Sequence, residues 1–211
     1  MTIVEKKDGK VRKKNKSIIL AAAEQEFLIH GFKGAAIKRI AERADLPRAN
    51  VHYYFKSKEE LYSEILNDIV GRWNSGFDDV TAEDDPLQAL SNYIRAKIMF
   101  SKTDPERSRI FASEIIHGAP HIKQYLKTTQ KQWVEHKVEV IQAWMDQGKI
   151  AKVDPLNLLF FIWGATQHYA DFSAQVLIAS DKTALNDKDY EKVADDLVAI
   201  VLRGIGLNIP V

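Results

Sequence analysis

The stretch IKRIAERADLPRANVHYYF, residues 37–55, decides the fold, and KSKEEL, residues 56–61, follows it at once. Its apolar residues recur at helical spacing, which predicts two short helices joined by a tight turn. The first helix and the turn contribute Ile37, Ile40, Ala41, Ala44 and Leu46, and the second helix contributes Ala49, Val51 and Phe55. We expect these two sets of apolar side chains to face each other across the turn.

The second short helix leaves four polar side chains pointing outward. They are Arg48, Asn50, His52 and Tyr53. Such a helix is poorly suited to a core, but its side chains can reach base edges and phosphate oxygens in a DNA groove. A helix-turn-helix places its second helix in the groove and rests the first across the backbone. We therefore predict DNA binding here, with Arg48 and Asn50 as the residues that read guanine and adenine.

The same region resembles the TetR family of bacterial transcriptional regulators. The resemblance is carried by Ala23, Phe27, Gly31-Phe32, Ile40-Ala41, Tyr53-Tyr54-Phe55 and Lys58-Glu59-Glu60-Leu61. It implies an all-α homodimer that binds an operator in double-stranded DNA. Each subunit would have an N-terminal three-helix helix-turn-helix domain, residues 1–58, and a C-terminal helical ligand-binding and dimerisation domain, residues 59–211.

The resemblance also implies that Tyr53, Tyr54 and Lys58 contact phosphates, and we add Lys38 to the predicted DNA-contacting set. One tyrosine is expected to be structural, and the sequence does not tell which. Lys58 could also be an ordinary surface lysine. Ala35-Ala36 departs from the family, which usually has Thr or Ser there to cap the next helix, and losing that cap costs about 1 kcal/mol. Pro47 stands where serine is common, but proline suits the start of a helix.

Charge is distributed unevenly along the 211 residues, although the net charge is only +1. Residues 1–60 carry 14 Lys and Arg against 8 Asp and Glu, and residues 61–211 carry 16 against 21. The positive half is the half with the predicted helix-turn-helix, as phosphate binding requires. Seven of the basic residues lie in the first 16, as a solvated disordered tail or as an arm that touches DNA. They are Lys6, Lys7, Lys10, Arg12, Lys13, Lys14 and Lys16.

Helical spacing continues along the rest of the chain. We predict helices over about 14–30, ended by Gly31, and from Ser57 past Trp73, with Glu60 in the capping-box position. Further helices are expected over about 86–102, 105–118, 121–147 and 155–176, and a last one ends near residue 204. No cysteine is present, which excludes disulfides and thiolate zinc sites. Without an apolar run that could cross a membrane or a signal peptide, we expect a cytoplasmic protein.

The helix over 155–176 carries an unusual stripe: Phe160, Trp163, Gln167 and Asp171 share one face. A glutamine and an aspartate on an apolar face need partners, and an indole beside an amide suits a planar, amide-bearing ring. This helix, Trp73 and residues 109–120 resemble the uracil-responsive regulators of pyrimidine utilisation within the family. The resemblance implies a pyrimidine-like effector bound by Trp73 and the stripe. Alternatively, Trp163 is a core residue, and backbone or water satisfies Gln167.

Other patterns are weaker. Glu114, His117 and His121 have metal-ligand spacing, but Gly118-Ala-Pro120 interrupts the helix between the histidines. We expect no metal, no cofactor and no enzyme activity, because no nucleophile, phosphate-loop or zincin motif is present. The remaining alternatives are an effector of another class and a ligand-binding module without DNA function.

Two apolar stripes near the C-terminus suggest that the last two helices form the dimer interface. One comprises Phe161, Ala165, His168, Phe172 and Val176, and the other comprises Val193, Leu197, Ile200 and Val201. Both stripes could instead belong to the core.

Overall fold

The computed structural model describes the backbone of residues 3–207 and the side chains of residues 11–207, and this part of the chain contains helices and no strands. The predicted all-α fold is confirmed. The helices are α1 (Ile3–Gly34), α2 (Ile37–Arg43), α3 (Arg48–Tyr54), α4 (Lys58–Ser75), α5 (Pro86–Thr103), α6 (Pro105–Ile116), α7 (Lys123–Tyr125), a π-helical segment (Leu126–Gln130), α8 (Lys131–Asp146), α9 (Pro155–Asp171), α10 (Ser173–Ala179) and α11 (Asp187–Gly204).

Two residues with positive φ angles shape the N-terminal helices. Gly31 has φ 64° and interrupts α1 where the sequence predicts its end. Asp45 has φ 52° in the turn between α2 and α3, a conformation that Asp tolerates better than most residues. Helix α1 begins at Ile3 rather than near Lys14. The side chains of Lys6, Lys7 and Lys10 lie outside the described residues, so the predicted basic arm stays a prediction.

One core is shared by α1 to α4 and by α6. Ile19, Phe27, Ile40, Val51 and Leu61 are buried in it, and Ile110 from α6 joins them. Ala49 does not: it is exposed, contrary to the sequence interpretation. Val51 and Phe55 lie four residues apart and share a face of α3, whereas a position two residues before Val51 points to the opposite side.

Helix α4 joins this core to the rest of the molecule. Ser57 caps it by accepting a hydrogen bond from the Glu60 N–H at 3.1 Å. The Glu60 carboxylate accepts from the backbone N–H of Lys56 at 2.7 Å, so the capping box predicted with Ser57 is displaced by one residue. With a rise of about 1.5 Å per residue, α4 extends about 27 Å. It begins shortly after α3 and carries Trp73 in its last turn.

A second core lies among α5, α8, α9 and α11. Tyr93, Trp144, Leu159 and Leu202 are fully buried in it. Two predicted helices differ in detail: the one over 155–176 is divided at Phe172 into α9 and α10, and the one over 121–147 contains the π-helical segment. Within the described residues, no helix has the length and apolarity needed to cross a membrane.

The C-terminal apolar stripes are divided between core and surface. Val201 is buried, and Leu197 packs against the second core. Phe161, Phe172 and Ile200 are each more than half exposed. The first two side chains therefore support the core interpretation, and the last three leave an apolar face uncovered.

Candidate nucleic-acid interface and effector cavity

Helix α3 presents the predicted polar side chains to solvent. Arg48, His52 and Tyr53 are exposed, Asn50 is half-buried, and Val51 between them anchors the helix in the core. No hydrogen bond or ion pair joins Arg48 to another described residue. Lys38 on α2 is also exposed and lies 3.8 Å from Glu42. This arrangement leaves the side chains of α3 available to bases and phosphates.

The two tyrosines at the end of α3 have different environments. Tyr53 is 71% exposed, and its ring lies 5.9 Å from the Arg12 guanidinium. Tyr54 is half-buried and packs against the first core. Tyr54 is thus the structural tyrosine that the sequence could not identify, and Tyr53 is the one that DNA could reach.

A distant carboxylate replaces the missing cap of α2. Ala36 occupies the N-cap position, where its side chain makes no capping bond. Its N–H donates to Glu26 of α1 at 3.2 Å, and the Arg39 Nε donates to the same carboxylate oxygen at 2.6 Å. Burial acts to raise the pKa of Glu26, but these hydrogen bonds hold it below the ordinary value. The departure at Ala35-Ala36 therefore does not leave α2 uncapped.

The Lys58 ammonium points towards the protein. It donates to the backbone carbonyls of Phe32 at 2.7 Å and Ala35 at 3.0 Å, and it lies 4.5 Å from the Phe32 ring centroid. These bonds fix the connection between α1 and α2. A phosphate contact at Lys58 stays a prediction.

A cavity of about 230 Å³ opens between the two cores. It brings together Trp73, Trp163 and Gln167 from the predicted ligand set. The complete lining is Val70, Trp73, Asn74, Lys97, Phe111, Ile115, Leu126, Gln130, Trp163 and Gln167. The walls are mostly aromatic and aliphatic and include one charged side chain and three amides, which is the composition of a small-molecule site.

Phe160 and Asp171 do not line this cavity, so the predicted stripe is too long. Phe160 is 52% exposed, with its ring 5.6 Å from that of Trp163. Asp171 accepts a hydrogen bond from the Ser108 hydroxyl at 2.5 Å, and burial raises the pKa of its carboxyl. Phe160 and Asp171 are eleven positions apart, which is about 16 Å along a helix, whereas the cavity reaches only the turn from Trp163 to Gln167.

The hydrogen bonds around the cavity show which polar groups of the lining already have partners. The Trp163 indole N–H donates to the Tyr93 hydroxyl at 2.7 Å, and the ring packs against the second core and borders the cavity. Asn74 donates to Gln130 at 2.8 Å. The Gln167 amide has no hydrogen-bond partner among the described residues, so backbone does not satisfy it.

Sequence reasoning missed Lys97. It is only 3% exposed, it lines the cavity, and its Nζ lies 4.6 Å from the Trp73 ring centroid. No hydrogen bond or ion pair joins it to another side chain or to backbone in the described part of the chain. Burial lowers its pKa to about 7, and the charge of Asp171 acts in the opposite direction. The signal was a lysine in register with Tyr93, Ile94 and Ile98 on the buried face of α5.

Polar contacts connect the cavity helices to the DNA-binding helices. Arg107 of α6 pairs with Glu24 of α1 and with Asp68 of α4, the latter at 2.8 Å. His121, which follows α6, contacts Phe32: the ring centroids lie 3.8 Å apart, and the ring planes are tilted by 43°. A shift of α6 or α4 at the cavity would therefore also displace α1 and the α1–α2 connection.

Glu114 and His121 form a hydrogen-bonded pair. The Glu114 carboxylate accepts from the His121 backbone N–H at 2.6 Å and lies 3.1 Å from its Nδ1. His117 instead turns back to the Ser113 carbonyl at 2.7 Å. Among the described residues, no group of three acidic, histidine or cysteine side chains could hold a metal ion.

Comparison with known proteins places both halves of the chain. Residues 19–65 match the family "Bacterial regulatory proteins, tetR family", and residues 66–208 match "YcdC-like protein, C-terminal region". The chain is 36% identical to the HTH-type transcriptional regulator RutR of Escherichia coli K12. The 190 aligned residues cover 90% of each protein. It is 24% identical to the HTH-type transcriptional regulator EthR of Mycolicibacterium smegmatis, over 90% of this chain and 83% of that protein.

A solved structure shows the same fold. The ketosteroid transcriptional regulator KstR2 of Mycobacterium tuberculosis superimposes with a TM-score of 0.65 at 21% identity, over 90% of this chain and 94% of that one. These relatives are transcriptional regulators rather than enzymes, and regulators of this kind bind operator DNA and small-molecule effectors as dimers. The chain belongs to the TetR family and is a ligand-responsive, DNA-binding transcriptional regulator.

Proposed function

We propose that this regulator is a repressor that a uracil-like pyrimidine releases from its operator, with the pyrimidine bound in the cavity. The observation that carries the proposal is the unpaired amide of Gln167 beside the aromatic walls of Trp73, Phe111 and Trp163. A flat ring stacked on Trp163 would give that amide a donor–acceptor edge to pair with. The resemblance to uracil-responsive regulators supports the same ligand class.

On the DNA side, we propose that Arg48 and Asn50 read base edges, and that Lys38, His52 and Tyr53 contact the backbone. The exposure of most of these side chains on α2 and α3 supports this division. Two recognition helices of a dimer must fit half-sites about 34–36 Å apart. A ligand that prefers a different spacing shifts the dimer away from the operator, because only differential affinity moves an equilibrium.

Helix α4 and the Arg107 bridge are the proposed connection between the two sites. Trp73 and Val70 line the cavity near one end of α4, and the other end follows α3 directly. Arg107 ties α6, which carries Phe111 of the cavity wall, to α1 and α4. A ring that separates Trp73 from Phe111, whose rings are now 4.9 Å apart, would move both helices relative to each other.

We also propose that the exposed apolar face of α9, α10 and α11 is the dimer interface. Phe160, Phe161, Phe172, Ile178 and Ile200 are each more than half exposed. Large exposed apolar side chains grouped on neighbouring helices favour an interaction site. Ile200→Glu should yield monomers by light scattering and weaken operator binding, with Ile29→Glu on exposed α1 as the control; a monomeric parent at micromolar concentration would refute this interface.

The central experiment measures DNA binding and the response to ligand in one assay. Genomic fragments that the purified regulator retains would be selected and labelled, and release by uracil, thymine and adenine would be followed by fluorescence anisotropy. We expect uracil or thymine, but not adenine, to release the DNA. If the protein binds a specific fragment and neither pyrimidine binds or releases it, the pyrimidine effector is wrong while DNA-binding regulation stands.

A further inference from the structure

Lys97 is a buried cation that faces the cavity and lacks a partner in the described part of the chain. Its ammonium is surrounded by the rings of Trp73, at 4.6 Å, and Tyr93, at 6.0 Å. Buried charges are paired in folded proteins or serve a function, because an unpaired one costs free energy. We infer that Lys97 selects the effector by binding an acceptor oxygen on the ligand.

The inference rests on the proposed effector site and adds the chemical group that the ligand must carry. Gln167, Asn74 and Gln130 are neutral amides, so Lys97 is the charged residue of the lining. A ring carbonyl or an ionised imide directed at Lys97 supplies the missing acceptor. An amino group in that position is a hydrogen-bond donor, as the ammonium is. It would therefore leave the ammonium without an acceptor. The site should therefore prefer uracil to cytosine, in which an amino group replaces one carbonyl.

The charges around Lys97 leave it free to change protonation. Asp171 on α9 is the one carboxylate that acts on it, and that carboxylate is already held by Ser108 and influenced by Arg109 and His168. The Tyr93 hydroxyl on the same helix stays neutral, because burial raises its pKa.

The other elements packed nearby add no free charge. The cavity residues of α4, α6 and the π-helical segment are neutral. On α11, Asp195 pairs with Arg95, and Asp187 pairs with Lys102. None of these pairs is a counter-ion for Lys97.

The direction of the pH effect follows from the state of the empty cavity. Burial lowers the pKa of Lys97 to about 7, so near neutral pH the empty protein contains both the ammonium and the neutral amine. An acceptor oxygen stabilises the ammonium and raises this pKa in the complex. Above pH 7 the ligand must therefore bind together with a proton, and its affinity should fall about tenfold for each pH unit.

Isothermal titration calorimetry tests the inference with uracil as the probe. Titrations between pH 6 and 8.5, below the range in which the ring itself ionises, would be run in phosphate and in Tris, which differ in heat of ionisation. We expect Kd to rise about tenfold between pH 7.5 and 8.5 and proton uptake to approach one. Lys97→Gln should bind about tenfold more weakly at pH 6.5 and show no pH dependence. Lys131→Met, which removes an exposed lysine of α8, should behave as the parent.

The outcomes separate this inference from the proposed function. Uracil binding that is independent of pH, or equal binding by Lys97→Gln, overturns the role of Lys97 and leaves the pyrimidine effector standing. If uracil does not bind at any pH, the pyrimidine effector fails, and thermal shifts with barbiturate, orotate and benzoate decide the role of Lys97. A rise in melting temperature in the parent that Lys97→Gln lacks supports the role of Lys97. Equal rises in both proteins, or none in either, refute that role.

Discussion

Two lysines of the C-terminal half are buried to almost the same degree, but the two regions around them differ in the hydrogen-bond partners that they offer. Lys137 of α8 is fully buried, and its Nζ donates to the carbonyls of Asp78 at 2.7 Å and Val80 at 3.0 Å in the connection between α4 and α5. Lys97 of α5 is 3% exposed and has no such partner among the described residues. Burial lowers the pKa of both side chains.

The difference between these lysines separates a structural role from a binding role. Carbonyls, together with the nearby charges of Asp78, Asp79 and Asp84, compensate Lys137, so it fixes a connection that carries no regular structure. Lys97 has only aromatic faces and the influence of Asp171, so the folded protein bears the cost of its burial. A buried charge without a partner, on a cavity, indicates a site where the partner is a ligand.

Removing the partnered lysine should have the largest effect. Lys137→Met leaves the two carbonyls of Asp78 and Val80 without their donor and should lower the free energy of unfolding by about 3 kcal/mol. Lys131→Met, an exposed substitution on the same helix, should change it by less than about 0.5 kcal/mol. Urea denaturation measures both. Equal stability of the two variants would contradict the structural role of Lys137.

Removing the unpartnered lysine should have the opposite sign. Lys97→Met should raise the free energy of unfolding of the ligand-free protein by about 2 kcal/mol at pH 7. Because the pKa of Lys97 is lower in the folded state than in the unfolded one, the unfolded chain binds more protons above pH 7, and the parent gains stability as pH rises. The advantage of the variant should therefore shrink between pH 7 and pH 9 in urea denaturation. A variant less stable than the parent at pH 7 would mean that Lys97 has a partner.

The unpaired amide gives an effect of similar size that concerns binding only. Gln167→Leu keeps the size of the side chain but removes the amide, so a bound pyrimidine would leave polar atoms unpaired and lose about 2 kcal/mol of affinity, or thirtyfold. Calorimetry with uracil and thymine measures this loss. Gln175→Leu on exposed α10 serves as the control. Parent-like affinity in Gln167→Leu would show that the ring is read elsewhere.

The same distinction applies to the cations of the DNA-binding half, where we expect the smallest differences. Arg48→Ala, which removes an exposed and unpartnered side chain, should weaken operator binding by about 1.5 kcal/mol and relax base preference at one position. Lys58→Ala removes an ammonium already bound to carbonyls, so it should lower stability more than it flattens the salt dependence of binding. Footprinting and salt titrations separate the two. A salt slope reduced by one in Lys58→Ala would restore the predicted phosphate contact.

The sequence predicted the helix-turn-helix almost completely, because its signals are local. The periodicity around Ile40 and Val51 and the cap at Ser57 each depend on a few neighbouring residues. The cavity could be predicted only in part, because it is assembled from five segments. The pattern on α9 identified Trp163 and Gln167 but could not show where the cavity ends, so Phe160 and Asp171 were included as well.

Features that depend on distant contacts were missed for the same reason. The replacement of the α2 cap by Glu26 requires two helices to meet, and the burial of Lys97 requires α4, α5 and α9 to surround it. A lysine on an apolar face also has an ordinary explanation, since its long stem can carry the charge to solvent. Only the packed structure shows that this side chain is 3% exposed.

The π-helical segment before α8 has a consequence for the tolerance of this regulator to insertions and deletions. Such segments act as one extra residue inserted in a helix, and each residue corresponds to about 100° of rotation. Leu126 and Gln130 thereby line the cavity, whereas Trp133 packs on the second core and Lys137 lies against Phe77 of that core. Deleting one residue from 126–130 would restore a regular helix and turn one of these sets out of phase. The length of this segment, more than its composition, is therefore what selection must hold constant.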